Sequence, residues 1–169
     1  LLAMAEQDFT YESVFRYLRT GLTDISRSEI DSLENYVIAM GIRGYKKWQE
    51  KWIRRTKNME ESELSEINRI REQFVSSVAD VMTVLKSRHK TVMDVAKALH
   101  IFFLKEEFQK RVKEYQVRFE SDGELALEKE YAQVYRIVID LFDQFVELLG
   151  DERISLKEYC ELLDAGLEE

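Results

Sequence analysis

The residues with chemistry to offer are concentrated in Arg43–Arg55, RGYKKWQEKWIRR. Residues 43–57 carry seven basic side chains (Arg43, Lys46, Lys47, Lys51, Arg54, Arg55, Lys57) against one acid, Glu50. Cations beside aromatic rings can hold a nucleic-acid backbone without reading its sequence. The cations displace counterions from phosphates, and a ring can stack on a base. Arg43, Lys46, Lys47, Lys51 and Arg54 are therefore the candidate DNA-binding residues. As a helix over about 45–56, the segment puts Tyr45, Trp48 and Trp52 on one side and Lys47, Lys51 and Arg54 in another row. We read the tryptophans as core anchors. The basic row is either a phosphate-facing surface or a plain solvated face.

Other chemistry is not encoded in a recognisable form. There is no G-x-x-x-x-G-K-[ST] loop to cradle ATP phosphates, no G-x-S-x-G and no H-E-x-x-H. His89 and His100 have no Cys or His partners at ligand spacing, and Cys160 stands alone, so neither a disulfide framework nor a multi-cysteine metal or iron–sulfur site is expected. The stretch Gly150–Glu158 imitates the end of a calcium loop, but the sixth place would hold Glu152 where glycine is required. The acid pairs Glu60-Glu61, Glu106-Glu107 and Asp151-Glu152 fall at helix ends or on polar faces and read as solvated charge. No catalytic, cofactor or metal residue is predicted in the segment itself.

The formal charge of −8 conceals an asymmetry. Residues 120–169 hold fifteen acids against four bases, whereas residues 86–118 are net positive like residues 43–57. A chain with one basic face and one acidic face can still meet nucleic acid. The opening LLAMAEQDF has no charged region leading into an apolar stretch, no apolar run reaches membrane-spanning length, and a cytoplasmic setting without membrane contact is expected. The start and the acidic end read as boundaries of a fragment.

The elements that must position the basic segment are helical. With 169 residues and 45% apolar side chains, the chain can bury a core, and it contains no proline. Ser26–Glu29, Thr91–Asp94 and Ser155–Glu158 have capping-box spacing, and Thr10 is an N-cap candidate. Helices are predicted over about 11–20, 27–40 and 45–56, then over 63–86, 92–119 and 123–149, with a short one over 156–164. Gly21, Gly41 and Gly150 are the expected stops. In 92–119 the apolar stripe through Val92, Val95, Leu99 and Phe102 gives way to one through Ile101, Leu104, Phe108, Val112, Tyr115 and Phe119. The two lie about 200° apart on the wheel, so this helix is expected to be sandwiched between neighbours. The expected fold is all-α: an antiparallel bundle of long helices over 58–169 and a smaller helical cluster over 1–57, with Asn58–Ser62 as linker.

YESVFRYLRTGL at Tyr11–Leu22, IDSLENYVIAMGIRG at Ile30–Gly44 and YKKWQEKW at Tyr45–Trp52 together resemble the helicase-like half of the AddB (RexB) family, the B subunits of bacterial ATP-dependent helicase/deoxyribonucleases. The resemblance implies an internal piece, similar to the helical 2B-type insertion of superfamily 1 helicases. It implies a structural role for Tyr11, Phe15, Arg16, Leu33, Glu34, Asn35, Tyr36, Gly41, Gly44 and Trp48. For the parent protein it implies ATP, magnesium and an iron–sulfur cluster, an AddA-like helicase–nuclease partner, and processing of DNA double-strand breaks for recombinational repair. The segment would be a non-catalytic scaffold with weak, non-specific DNA contacts. The alternative is a protein–protein interaction module with no DNA role, using the acidic helices of 123–169.

Overall fold

A computed structural model describes residues 1–121 and 125–167. It is all-α: the described residues form helices and no strand, with one isolated antiparallel bridge between Thr91 and Arg153. The chain divides into two compact units, Leu1–Met82 and Thr83–Glu169, so the expected boundary at 57/58 falls inside the first. No helix among the described residues is long and apolar enough to cross a membrane.

The first unit contains α1 (Leu2–Glu6), α2 (Tyr11–Leu18), α3 (Arg27–Met40), α4 (Tyr45–Gln49) and most of α5 (Glu61–Leu85). α3 keeps both predicted ends, because both are decided locally. Ser26 accepts the Glu29 amide while the Glu29 carboxylate takes the Ser26 amide, at 2.8 Å. At the other end Gly41 adopts φ 62°, which a side chain would resist. α1 was not anticipated. It leads through Asp8 and Phe9, both at positive φ (50° and 56°), an unfavourable conformation for non-glycine residues. The burial compensates: Phe9 is fully enclosed, against Tyr45, Trp48 and Phe74.

The second unit contains the last residues of α5, then α6 (Val92–Phe103), α7 (Glu106–Ser121), α8 (Leu125–Leu149) and α9 (Leu156–Leu167). The single helix predicted over 92–119 is two helices. The offset between its apolar stripes is resolved by a break at Leu104–Lys105 rather than by sandwiching. Lys105 donates to the Phe102 carbonyl in a tightened last turn, and the Gln109 side chain takes the Phe103 carbonyl. α6 and α7 both pack on α8. Residues 122–124, at the predicted start of the next helix, lie outside the described residues, as do 168–169. The side chains of Leu127 and Tyr131, expected on its apolar stripe, lie outside them too. Leu141, Phe142 and Phe145 are buried, whereas Val134 and Leu148, read as part of the same stripe, are exposed. Gly150 ends α8 for a packing reason. A Cβ there would lie 2.4 Å from the Val146 carbonyl oxygen and 3.2 Å from Met93, where the start of α6 approaches and the Met93 amide bonds the Gly150 carbonyl.

Candidate nucleic-acid interface

The basic segment begins at a turn made by two glycines. Gly41 closes α3, and the Ile42 amide reaches back to the Val37 carbonyl at 3.1 Å. Gly44, at φ 82°, opens α4, and a Cβ there would come within 3.2 Å of the Asp8 carboxylate. Arg43 sits between them, exposed. On α4, Trp48 is fully buried while Lys46 and Lys47, turned away from it by the helical period, are exposed.

The helix predicted over 45–56 stops at Gln49, and Glu50 is extended (φ −76°, ψ 146°). Nothing in the local sequence breaks it; α5 does. In a continued helix the Trp52 amide would bond the Trp48 carbonyl. Instead the Trp52 N–H donates to Asn68 Oδ1 at 2.9 Å, and Arg71 Nη1 donates to the Trp48 carbonyl at 2.8 Å. Asn68 Nδ2 also donates to the Trp52 carbonyl at 2.8 Å, so one side-chain amide clasps both backbone groups of Trp52. From α3, Tyr36 Oη donates to the Arg54 carbonyl at 2.6 Å. Residues 50–56 thus form a non-helical strap held by the Asn68 and Tyr36 side chains, while Arg71 takes the Trp48 carbonyl of α4. Lys47, Lys51 and Arg54 accordingly do not form a helical row.

The strap is anchored by aromatic burial. Tyr36 stacks on Trp52 (5.2 Å, 15°), and Trp52 meets Trp48 edge-on. Phe74 and Phe15 pack on Trp48 from α5 and α2. The Trp52 indole donates to the Lys47 carbonyl at 2.8 Å. Both tryptophans are therefore packing anchors, and neither face is offered to a base. Arg71, 6% exposed, lies 5.7 Å from the centre of the Trp52 ring, and burial pulls its pKa down. Sequence reasoning missed Asn68 and Arg71. Their signal was their position: with Leu64 they follow i, i+4, i+7 spacing along the core-facing side of α5, where two polar residues require buried partners.

With backbone and rings committed inward, the cations remain outside. Arg43, Lys46, Lys47, Lys51 and Arg54 are all exposed, with Arg55 and Lys57 beside them. Lys47 Nζ pairs with Glu50 at 2.9 Å, and that contact holds the Glu50 carboxyl below its usual range. Among the described residues the other four candidates make no ion pair. Ile53, 80% exposed, rides on the strap between them.

Of the other residues assigned a structural role, Tyr11, Glu34, Phe15 and Leu33 find partners or core positions among the described residues and two do not. Tyr11 Oη donates to Glu34 at 2.6 Å, and Glu34 pairs with Arg19, tying α2 to α3. Phe15 and Leu33 are core; Arg16 and Asn35 are exposed. No group of three or more His, Cys, Asp or Glu side chains among the described residues is arranged to hold a metal.

No family model matches the chain. Curated relatives do. The chain is 36% identical over 99% of its length to the B subunit of the ATP-dependent helicase/deoxyribonuclease of Lachnoclostridium phytofermentans. It is 34% identical over its whole length to the protein of that name from Clostridium novyi, and 37% identical over 96% to that of Caldanaerobacter subterraneus. The chain belongs to this family, AddB. It spans 14–15% of the length of those relatives. Identity extends far past Trp52, so the helices of the second unit belong to the family as well as the motif block.

Proposed function

We propose that this chain is a helical, non-catalytic accessory subdomain of an AddB-type protein, and that its basic segment 43–55 is a non-specific DNA contact. The parent would work with an AddA-like helicase–nuclease partner in processing double-strand breaks, with ATP, magnesium and an iron–sulfur cluster held outside this segment. The observation that carries the DNA contact is the division of labour in residues 43–55. The three aromatics and several backbone groups are fixed inward, while Arg43, Lys46, Lys51 and Arg54 project with no ion pair among the described residues. A clasped strap holds its charges in register, so binding a phosphate chain orders little further.

Fluorescence anisotropy of the chain with labelled duplex and single-stranded oligonucleotides at low salt tests this. Dissociation constants of about 10⁻⁴–10⁻⁶ M are expected, with little sequence preference. The buried tryptophans offer no stacking platform, so single strands should gain no advantage over duplex. Undetectable binding at low salt would favour the second reading, a protein-interaction module. One feature supports that reading: Ile101, Leu104, Val134 and Leu148 are apolar and more than half exposed in the second unit.

A further inference from the structure

A second cationic feature lies in the second unit. The loop between α5 and α6 reads Lys86-Ser-Arg-His-Lys90 and is bordered by a groove of about 390 Å³. Ser87, Lys90, Asp94 and Lys97 supply polar groups to its lining, with Ala98 and Ile101 as apolar wall. Lys90 is the unusual member. It is only 8% exposed, yet among the described residues it has no carboxylate within ion-pair distance. One contact is made by its ammonium, Nζ to the Ser87 carbonyl at 2.8 Å, which leaves two of its three donors unused. The Lys90 stem is buried while the ammonium is part-buried at the groove, a place where an anion can answer the charge.

The nearby groups show why the protein does not supply that anion. Asp94 lines the same groove, but its carboxylate is pinned by the capping box, where Oδ2 accepts the Thr91 amide at 2.9 Å. The first amides of α6 are also occupied: Val92 donates to Glu152, Met93 to Gly150 and Asp94 to Thr91. The helix terminus is therefore closed, and the unused donors belong to side chains. Lys97, one turn along α6 from Asp94, is exposed and makes no ion pair among the described residues. Two lysines against one committed carboxylate leave the groove with excess positive charge.

We propose that this groove binds a phosphate group, held by Lys90 and Lys97, from either a free phosphate compound or a nucleic-acid backbone. Lys90 meets the anion from the buried side and Lys97 from the open side. Burial also pulls the Lys90 pKa down, as expected for a cation lacking its counter-charge. The groove uses none of the cations of residues 43–55, so either proposal could fail without the other.

The test is a titration of the ¹⁵N-labelled chain followed by NMR, with inorganic phosphate against chloride at matched ionic strength. Phosphate, and not chloride, should shift the amides of Ser87, Lys90, Asp94 and Lys97 along a saturable curve. Lys97→Met, at an exposed position, should weaken that curve about tenfold, as for loss of one charge-assisted hydrogen bond. Lys90→Met should abolish it. In chloride alone Lys90→Met should melt no lower than the parent chain, since it removes a part-buried charge with no ionic partner among the described residues. A repeat with a short oligonucleotide distinguishes the sources: the same amides shift if a backbone phosphate enters, and stay still if only small phosphates do. Shifts equal in phosphate and chloride, or unchanged in Lys97→Met, would overturn the proposal. So would a Lys90→Met chain that melts far lower in chloride, which would mark Lys90 as a purely structural residue.

Discussion

Replacing Asn68 by Ala probes the clasp that converts a predicted helix into a strap. The side chain makes four contacts in the structure. It takes the Trp52 N–H at 2.9 Å and Arg71 Nε at 3.2 Å, and gives to the Trp52 and Leu64 carbonyls at 2.8 and 3.1 Å. The Leu64 carbonyl lies within α5 and keeps a helical partner, so three groups lose a bond for which no substitute is at hand. A buried group left unpaired costs about 1–3 kcal/mol, and water entering beside the opened strap recovers part of that, so the net loss should be about 3 kcal/mol. In a chain of this length that lowers Tm by roughly 6–12 °C. The assay has a built-in localiser: the chain's two tryptophans, Trp48 and Trp52, are both in the first unit, so their emission reports that unit's unfolding. Trypsin should also cut faster after Lys51, Arg54 and Arg55 in the variant, because an unclasped strap opens more often. A tryptophan-detected Tm within about 1 °C of the parent, with an unchanged cleavage rate, would refute the clasp.

The remaining predictions concern single side chains. Trp48→Ala should cost about 3–5 kcal/mol by urea denaturation. Trp48→Phe should cost clearly less, because the buried indole Nε1–H has no acceptor to lose; a similar loss for both would show that the indole nitrogen matters. Tyr159→Phe, followed by circular dichroism, should leave the second unit as stable or up to about 1 kcal/mol more stable, since that hydroxyl is fully buried without a partner among the described residues. A substantial loss would mean the hydroxyl is satisfied. Glu29 is held below the usual glutamate pKa, first by the Ser26 hydroxyl and amide and then by Arg69. Its folded pKa is depressed, so its contribution is present above the usual glutamate value and is lost as pH falls through the folded one. The stability gap between the parent chain and Glu29→Gln, read by tryptophan emission, should therefore be largest near neutrality and close in acid; a gap that widens in acid would reverse the assignment.

What could be read from the sequence was whatever neighbours in the chain decide. Both ends of α3 follow from Ser26, Glu29 and Gly41, and the start of α9 from Ser155, whose side chain takes the Glu158 amide at 3.2 Å. The aromatic side of α4 was legible too, because Trp48 must be buried wherever the helix ends. The extent of α4 was not, since Asn68 and Arg71, some twenty residues away in sequence, take the two groups the next helical bond would use. The break between α6 and α7 was visible as a shift of stripe, but its resolution depends on whether neighbours cover both faces; Ile101 and Leu104 remain largely exposed. The candidate cations were found by composition alone. Their division between a turn, the short α4 and a strap, rather than along one helix, needed the fold.

The most direct test of the proposed DNA contact is the salt dependence of duplex affinity with and without Lys46 and Lys47. The logarithm of the association constant should fall linearly with log salt, with a slope of about −0.9 per phosphate contact. The double reversal Lys46→Glu, Lys47→Glu, checked for an intact fold by circular dichroism, should weaken binding and flatten that slope by about 2. The control Lys105→Glu, Lys110→Glu, equal in charge but remote from the strap in sequence, should change the slope much less. A flatter slope for the Lys46/Lys47 variant alone is the predicted result; equal slopes in parent, that variant and control would contradict it.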